Sequence, residues 1–309
     1  MVRPVLLCAL LLPVVSAVAQ PPRGPAPVPP GVKVDRNLVY SRAAGKDLLL
    51  DLSRPAKQSG PLPVVVWVFG GAFRMGSKDD GQTGTATWLA NEGYAVAAFN
   101  YRLSQVAIFP AQIQDCKAAV RWLRTHAAEY NLDGRHIAAW GASAGGHLSA
   151  MLGTSGDVAA LEGEAGGSQV SSRVQAVVDF YGPTDFLQMD ALALAGGMQH
   201  NPADSPESQL IGGPIQDNRD QVARANPITY VTPDDPPFLI LHGDRDPLVP
   251  VGESDLLFQA LRSAHVNVIF HKIVGAGHGG PEFELAPVRA MVLAFLDQHL
   301  KPPAAAGTR

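Results

Sequence analysis

A serine hydroxyl becomes a useful nucleophile when a base takes its proton and a third group orients that base. Ser143 sits in a setting suited to this, at the centre of Gly141-Ala142-Ser143-Ala144-Gly145. The apolar run Ile137–Trp140 ends directly before this motif, and Gly146–Leu152, which reads as helix, follows directly after it. On a strand-to-helix turn the serine is pushed into a strained, exposed position, and small residues two places before and after relieve crowding around it. The following helix aims its first amides beside the hydroxyl, where negative charge develops during acyl transfer.

The base and the orienting acid are sought downstream. His278 lies in Gly275-Ala276-Gly277-His278-Gly279-Gly280, after the apolar run Val266–Val274, where a histidine among glycines has little packing role. His242 at a strand end and His126 in a helix read instead as satisfied structural groups. His147 is the rival base, but one turn into the helix it would meet the serine from behind. The acid is Asp246, in the loop His242-Gly243-Asp244-Arg245-Asp246-Pro247-Leu248-Val249-Pro250, with Asp244 as the alternative. Asp-Pro also starts turns, and the two roles are compatible. The chain order Ser143, Asp246, His278 is the one expected at the carboxyl ends of successive strands. For the oxyanion, Phe69-Gly70-Gly71-Ala72-Phe73 follows the strand Val64–Phe69, and the amides of Gly71 and Ala72, joined by Ala144, are the expected donors. A tight turn would use the same glycines, so this loop draws its meaning from being first of four elements in the right order.

These residues need a scaffold that brings strand ends together. Short continuous apolar runs bounded by Gly, Pro or Asp predict strands at Val64–Phe69, Ala95–Phe99, Ile137–Trp140, Val174–Phe180, Phe238–Leu241 and Val266–Val274. Val34–Tyr40 and Leu48–Leu52 read as an antiparallel pair around Ala43-Ala44-Gly45. Helical spacing is clearest over Gln112–Ala127, where Ile113, Cys116, Val120, Leu123 and Ala127 form one stripe and bury the Cys116 thiol. The alternation predicts an α/β fold, with a mostly parallel central sheet flanked by helices. Gly153–Ser172 and Thr184–Pro233, rich in Gly, Ser, Pro and Asp, read as lid-like insertions.

With 309 residues, 46% hydrophobic and 17% charged, the chain suits a folded globular domain, and disorder over most of its length is excluded. A net charge of −4 and thinly spread Lys and Arg offer no basic stripe for nucleic acid. No CxxC pair or HExxH helix suggests a metal, and the chemistry requires no cofactor. Arg3, an apolar run from Val5 to Val15 and Ala17-Val18-Ala19 read as a signal peptide over 1–19. Cys8 opens the alternative of a lipoprotein anchor, although Leu6-Leu7 fits that poorly. Six prolines between Gln20 and Pro30 make 20–31 a Pro-rich linker, followed by one domain over 32–301 and a flexible tail over 302–309. A soluble protein, exported to the periplasm or the medium and without a membrane anchor, is the expectation; the oligomeric state stays open.

Taken together, these features resemble an α/β-hydrolase, more narrowly the hormone-sensitive-lipase-like carboxylesterases and, within them, the branch of bifunctional acetylxylan and feruloyl esterases. The stretches Phe69–Lys78, Asn100–Ser104, Phe109–Asp115, Trp140–His147 and Pro236–Pro250 carry the likeness beyond the triad. The resemblance implies a serine esterase acting on a small-molecule or polysaccharide-linked ester, with catalytic Ser143, Asp246 and His278. General short-chain carboxylesterase, lipase and amidase or peptidase activities remain alternatives on the same fold, as does a non-catalytic binding module. One position departs from the pattern. The family usually has histidine where this chain has Phe69, and a phenyl ring cannot supply the hydrogen bonds by which imidazole is thought to brace the oxyanion loop.

Overall fold

The computed structural model describes residues 27–165 and 169–301. The leader, most of the Pro-rich segment and the C-terminal tail lie outside the described residues.

Eight strands form one sheet in the order β1-β2-β4-β3-β5-β6-β7-β8. They are β1 (Val32–Ala43), β2 (Lys46–Pro55), β3 (Leu62–Val68), β4 (Ala95–Phe99), β5 (Leu132–Ala142), β6 (Ala176–Phe180), β7 (Phe238–Gly243) and β8 (Val268–Ile273). The β1–β2 and β2–β4 pairs are antiparallel, and every later pair is parallel. Ala44 (φ 49°) and Gly45 (φ 72°) close the first hairpin, the two positive φ angles that a two-residue type I′ turn requires.

The central strands are apolar throughout because the pleat sends alternate residues into two cores. Val64, Val66 and Val68 face one side, where α1 (Ala111–Thr125), α2 (Ala144–Thr154) and α3 (Val251–Ser263) supply Ile113, Cys116, Leu148 and Leu257. Val65 and Trp67 face the other, where α4 (Ala286–Leu300) supplies Val292, Phe295 and Leu296. Cys116 is fully buried on the α1 stripe. Strand β5 begins five residues before its apolar run, since Asp133, Arg135 and His136 continue the extended chain beyond the covered part of the sheet. The insertion expected to be irregular contains the short helices Pro206–Ile211 and Arg219–Ala225. It is tied down at both sides of the sheet's carboxyl edge, by Phe109 N–H to Leu210 O (2.9 Å) and Met198 N–H to Pro247 O (2.8 Å).

Packing of α2 on the end of β3 fixes the turn between β5 and α2. A Cβ on Gly145 would stand 2.0 Å from the Val68 carbonyl oxygen and 2.7 Å from that of Phe69. Such backbone contacts cannot rotate away. Among the described residues no helix is long and apolar enough to cross a membrane. Gly145→Ala is expected to lower unfolding free energy by about 1–3 kcal/mol, whereas Gly60→Ala, with open space around its Cβ position, should be nearly neutral. Chemical denaturation of the two variants checks this, and equal midpoints would contradict it.

Candidate active site

The carboxyl ends of β3, β5, β7 and β8 gather the residues singled out in the sequence, as expected for a parallel sheet with ligands at that edge. Ser143 connects β5 to α2 with φ 56° and ψ −124°, a conformation unfavourable for a residue with a side chain. Its N–H donates to Phe180 O at the end of β6 (2.8 Å), and its own carbonyl accepts from His147 N–H (3.0 Å). These bonds hold the strained turn. The hydroxyl makes no capping bond to α2 and faces outward.

His278 Nε2 lies 2.9 Å from Ser143 Oγ, and His278 Nδ1 lies 2.6 Å from Asp246 Oδ2. The three groups therefore form one hydrogen-bonded line. Asp246 Oδ1 accepts from the N–H groups of Leu248 (2.8 Å) and Val249 (2.9 Å), and His242 Nε2 lies 3.2 Å from Oδ2. Burial works to raise the Asp246 carboxyl, but the hydrogen bonds from His242 and His278 outweigh it and hold the group well below the usual carboxylate range. The alternative acid, Asp244, accepts from Gly275 N–H (2.7 Å) and so tethers the β7 loop to the β8 loop.

His147 does not reach the nucleophile. Its Nδ1 bonds Pro183 O at 2.8 Å, its ring is enclosed by Phe73 and Phe186, and burial lowers its pKa to about 4. It stays neutral at physiological pH.

The loop after β3 passes so near the elbow that a Cβ on Gly70 would lie 3.2 Å from Ser143 Cβ. Gly71, Ala72 and Phe73 all have positive φ (129°, 53° and 59°). The main-chain N–H groups of Gly71, Ala72 and Ala144 donate to no acceptor among the described residues, leaving them available to an anion. Phe69 stacks on Tyr101 (centroids 4.3 Å apart, planes at 14°), while Tyr101 Oη donates to Phe69 O (3.1 Å) and Gln82 Oε1 accepts from Gly70 N–H (3.1 Å). The bracing expected from an imidazole is thus supplied by an aromatic stack, a phenol and an amide. Tyr101 is in turn held by its neighbour Arg102, whose guanidinium grips Asp115 through two nitrogens (2.8 and 2.7 Å).

Tyr101, Gln82, Tyr181 and His242 escaped the sequence reading as contributors to the site. Tyr181 (φ 44°) caps β6 and sets its ring edge-on to His278, 4.7 Å between centroids. A polar or aromatic residue at the carboxyl end of a strand was the available signal for Tyr181 and His242.

A model of the BD-FAE family matches residues 50–261. With the eight-stranded sheet and the serine elbow, this defines an α/β-hydrolase, and the chain belongs to the BD-FAE family. The Mycobacterium tuberculosis protein named "Probable carboxylic ester hydrolase LipM" is 34% identical over 207 residues, 66% of this chain and 46% of its own length. A solved structure described as a truncated form of carbohydrate esterase from gut microbiota superposes with a TM-score of 0.80 at 33% identity, covering 89% of this chain and 99% of that one. A second, a bifunctional GH43-CE protein of Bacteroides eggerthii, gives a TM-score of 0.75 at 35% identity, over 86% and 38% of the respective chains. Set against LipM and two further Mycobacterium tuberculosis esterases, the chain spans about half of their length, from 46% to 62%.

Behind the site, Glu253 of α3 is fully buried, with Oε2 accepting from the N–H groups of Thr184 (2.7 Å) and Asp185 (2.6 Å). Burial raises its pKa from 4.5 to about 8, against the pull of those two amides. In the unfolded chain the group ionises near its ordinary value, so the folded state, which keeps the proton longer, loses relative stability as pH rises from about 4.5 to about 8. Glu253→Gln cannot ionise. Its unfolding free energy is expected to fall less than that of the parent across this window, measured by denaturation at several pH values; parallel curves would contradict the assignment.

Proposed function

We propose that the protein is a serine esterase working through an acyl-enzyme, with Ser143 as nucleophile, His278 as base and acid, and Asp246 as the group that orients His278. The observation that carries this reading is the line from Ser143 Oγ through the imidazole to Asp246, at 2.9 and 2.6 Å.

Ser143 Oγ gives its proton to His278 Nε2 as it bonds to the ester carbonyl carbon. The resulting oxyanion is met by the N–H groups of Gly71, Ala72 and Ala144. Its collapse breaks the ester C–O bond, and the departing alcohol takes the proton from Nε2. Water then gives a proton to Nε2 and attacks the acyl carbon; Ser143 leaves with that proton, and a carboxylic acid is released. Throughout, Asp246 accepts from Nδ1–H and stabilises the imidazolium that forms twice per cycle. The reaction is complete with these residues and water.

For the substrate, acetyl or feruloyl esters of plant polysaccharides are the reading favoured by BD-FAE membership and by structural relatives described as carbohydrate esterases. Export through a cleaved leader over 1–19 fits such a polymer, which is too large to enter a cell. The domain would then be residues 32–301, with 302–309 as a tail.

Organophosphonate treatment is expected to add one adduct to the parent protein at Ser143, and Ser143→Ala should lose both the adduct and about 10⁶-fold in turnover, the scale seen when a serine hydrolase of another fold loses its nucleophile. An active Ser143→Ala variant would overturn the assignment. Comparing acetylated xylan, methyl ferulate, a long-chain ester and an anilide tests the substrate class, and preference for either of the last two would refute it. Phe69→His should keep or raise turnover on a short-chain ester, since an imidazole can occupy the same stacked slot on Tyr101; a large loss would remove the loop from the oxyanion role.

A further inference from the structure

The site contains a second imidazole on the same carboxylate. His242, at the end of β7, is fully buried, and its Nδ1 lies 2.7 Å from the hydroxyl of Ser254 on α3, itself fully buried. Its Nε2 lies 2.9 Å from Val249 O and 3.2 Å from Asp246 Oδ2. A carbonyl and a carboxylate oxygen accept only, so Nε2 must carry the proton. A neutral ring then has Nδ1 as acceptor, which the Ser254 hydroxyl satisfies. The Val249 carbonyl thereby fixes the tautomer, whose N–H is directed at Val249 O with Asp246 Oδ2 beside it, and Ser254 tethers the far nitrogen of the ring.

The geometry points to His242 as a positioning residue for catalysis, with Ser254 bracing its ring; this inference rests on the esterase reading above. Asp246 Oδ2, the oxygen that receives His278 Nδ1–H, is placed by the loop that carries the acid, because that loop grips the rest of the same rigid carboxylate. Leu248 and Val249 amides hold the other oxygen. His242 fixes that loop through its bond to Val249 O and stands 3.2 Å from Oδ2. Displacement of a catalytic group by a fraction of an ångström is enough to slow a reaction on the order of 10-fold to 100-fold.

The test uses the full chain and a short-chain aryl ester. His242→Leu removes the N–H, and kcat is expected to fall about 10-fold to 100-fold with KM changed less than about twofold, because substrate contacts stay intact. His242→Gln, whose side-chain amide can present an N–H near the same point, should recover most of the loss. Ser254→Ala, a small change that removes the tether on the far nitrogen of the ring, should lower kcat several-fold with KM unchanged. A merely structural role would move stability and leave this kcat-against-KM split absent. The inference is overturned if Ser254→Ala keeps parental kcat, or if folded His242→Gln is no better than folded His242→Leu. Where His242→Leu does not fold, the Ser254→Ala and His242→Gln results decide. Should the parent protein hydrolyse no ester and leave Ser143 unlabelled, it is the esterase reading that fails; an active parent with fully active His242 and Ser254 variants rejects this inference alone.

Discussion

A negative charge removed from water must be met by donors on every side, and in this protein that condition is concentrated on the carboxylate of Asp246. Two main-chain amides hold one oxygen, and two imidazoles approach the other. An isolated buried carboxylate would take up a proton to escape the desolvation cost. Here the donors keep it ionised, and an ionised, immobile acid gives His278 a fixed direction. The arrangement demands that the end of β7, its following loop and the β8 loop all meet within a few ångströms, which the parallel register of β7 and β8 provides.

Ser143 is held by the opposite device, a strained backbone in place of a satisfied charge. Ser143 keeps a positive φ because its N–H is tied to β6 and the next residues are pressed against β3, where a side chain at position 145 cannot fit. Strain at the elbow and saturation at the acid complement each other. The serine is displayed toward a base whose own position is set from behind. The loop after β3 completes the picture, with Phe69, Tyr101 and Gln82 supporting its carbonyl and amide groups from beneath.

Much of this could be read in the chain because the constraints are local. An apolar run, four small residues around a serine and a helix describe the β5–α2 turn, and His278 stands out because glycines surround it. Six strands of the sheet were likewise visible as apolar runs and the first two as a pair around a turn, although β5 starts before its run where polar residues continue the extended chain. Asp246 was read as the acid with Asp244 as the alternative; both lie in one loop and differ in which neighbour each meets, a Gly275 amide for Asp244 and the His278 ring for Asp246. His242 looked like an ordinary strand-end residue because Ser254, which tethers its ring, belongs to the following helix. Tyr101 was invisible for the same reason, its hydroxyl reaching a carbonyl 32 residues earlier. The leader lies outside the described residues, so export stays with the sequence reading and the proposed function.

An acyl-enzyme is the species that unites these features, and its capture is the most direct measurement. Rapid acid quench during turnover of an activated acetate ester, followed by peptide mass spectrometry, should find the mass of one acetyl group on the peptide containing Ser143, at an occupancy that decays once substrate is spent. Turnover with no acylated intermediate, or with the acetyl group on a residue other than Ser143, would contradict the account.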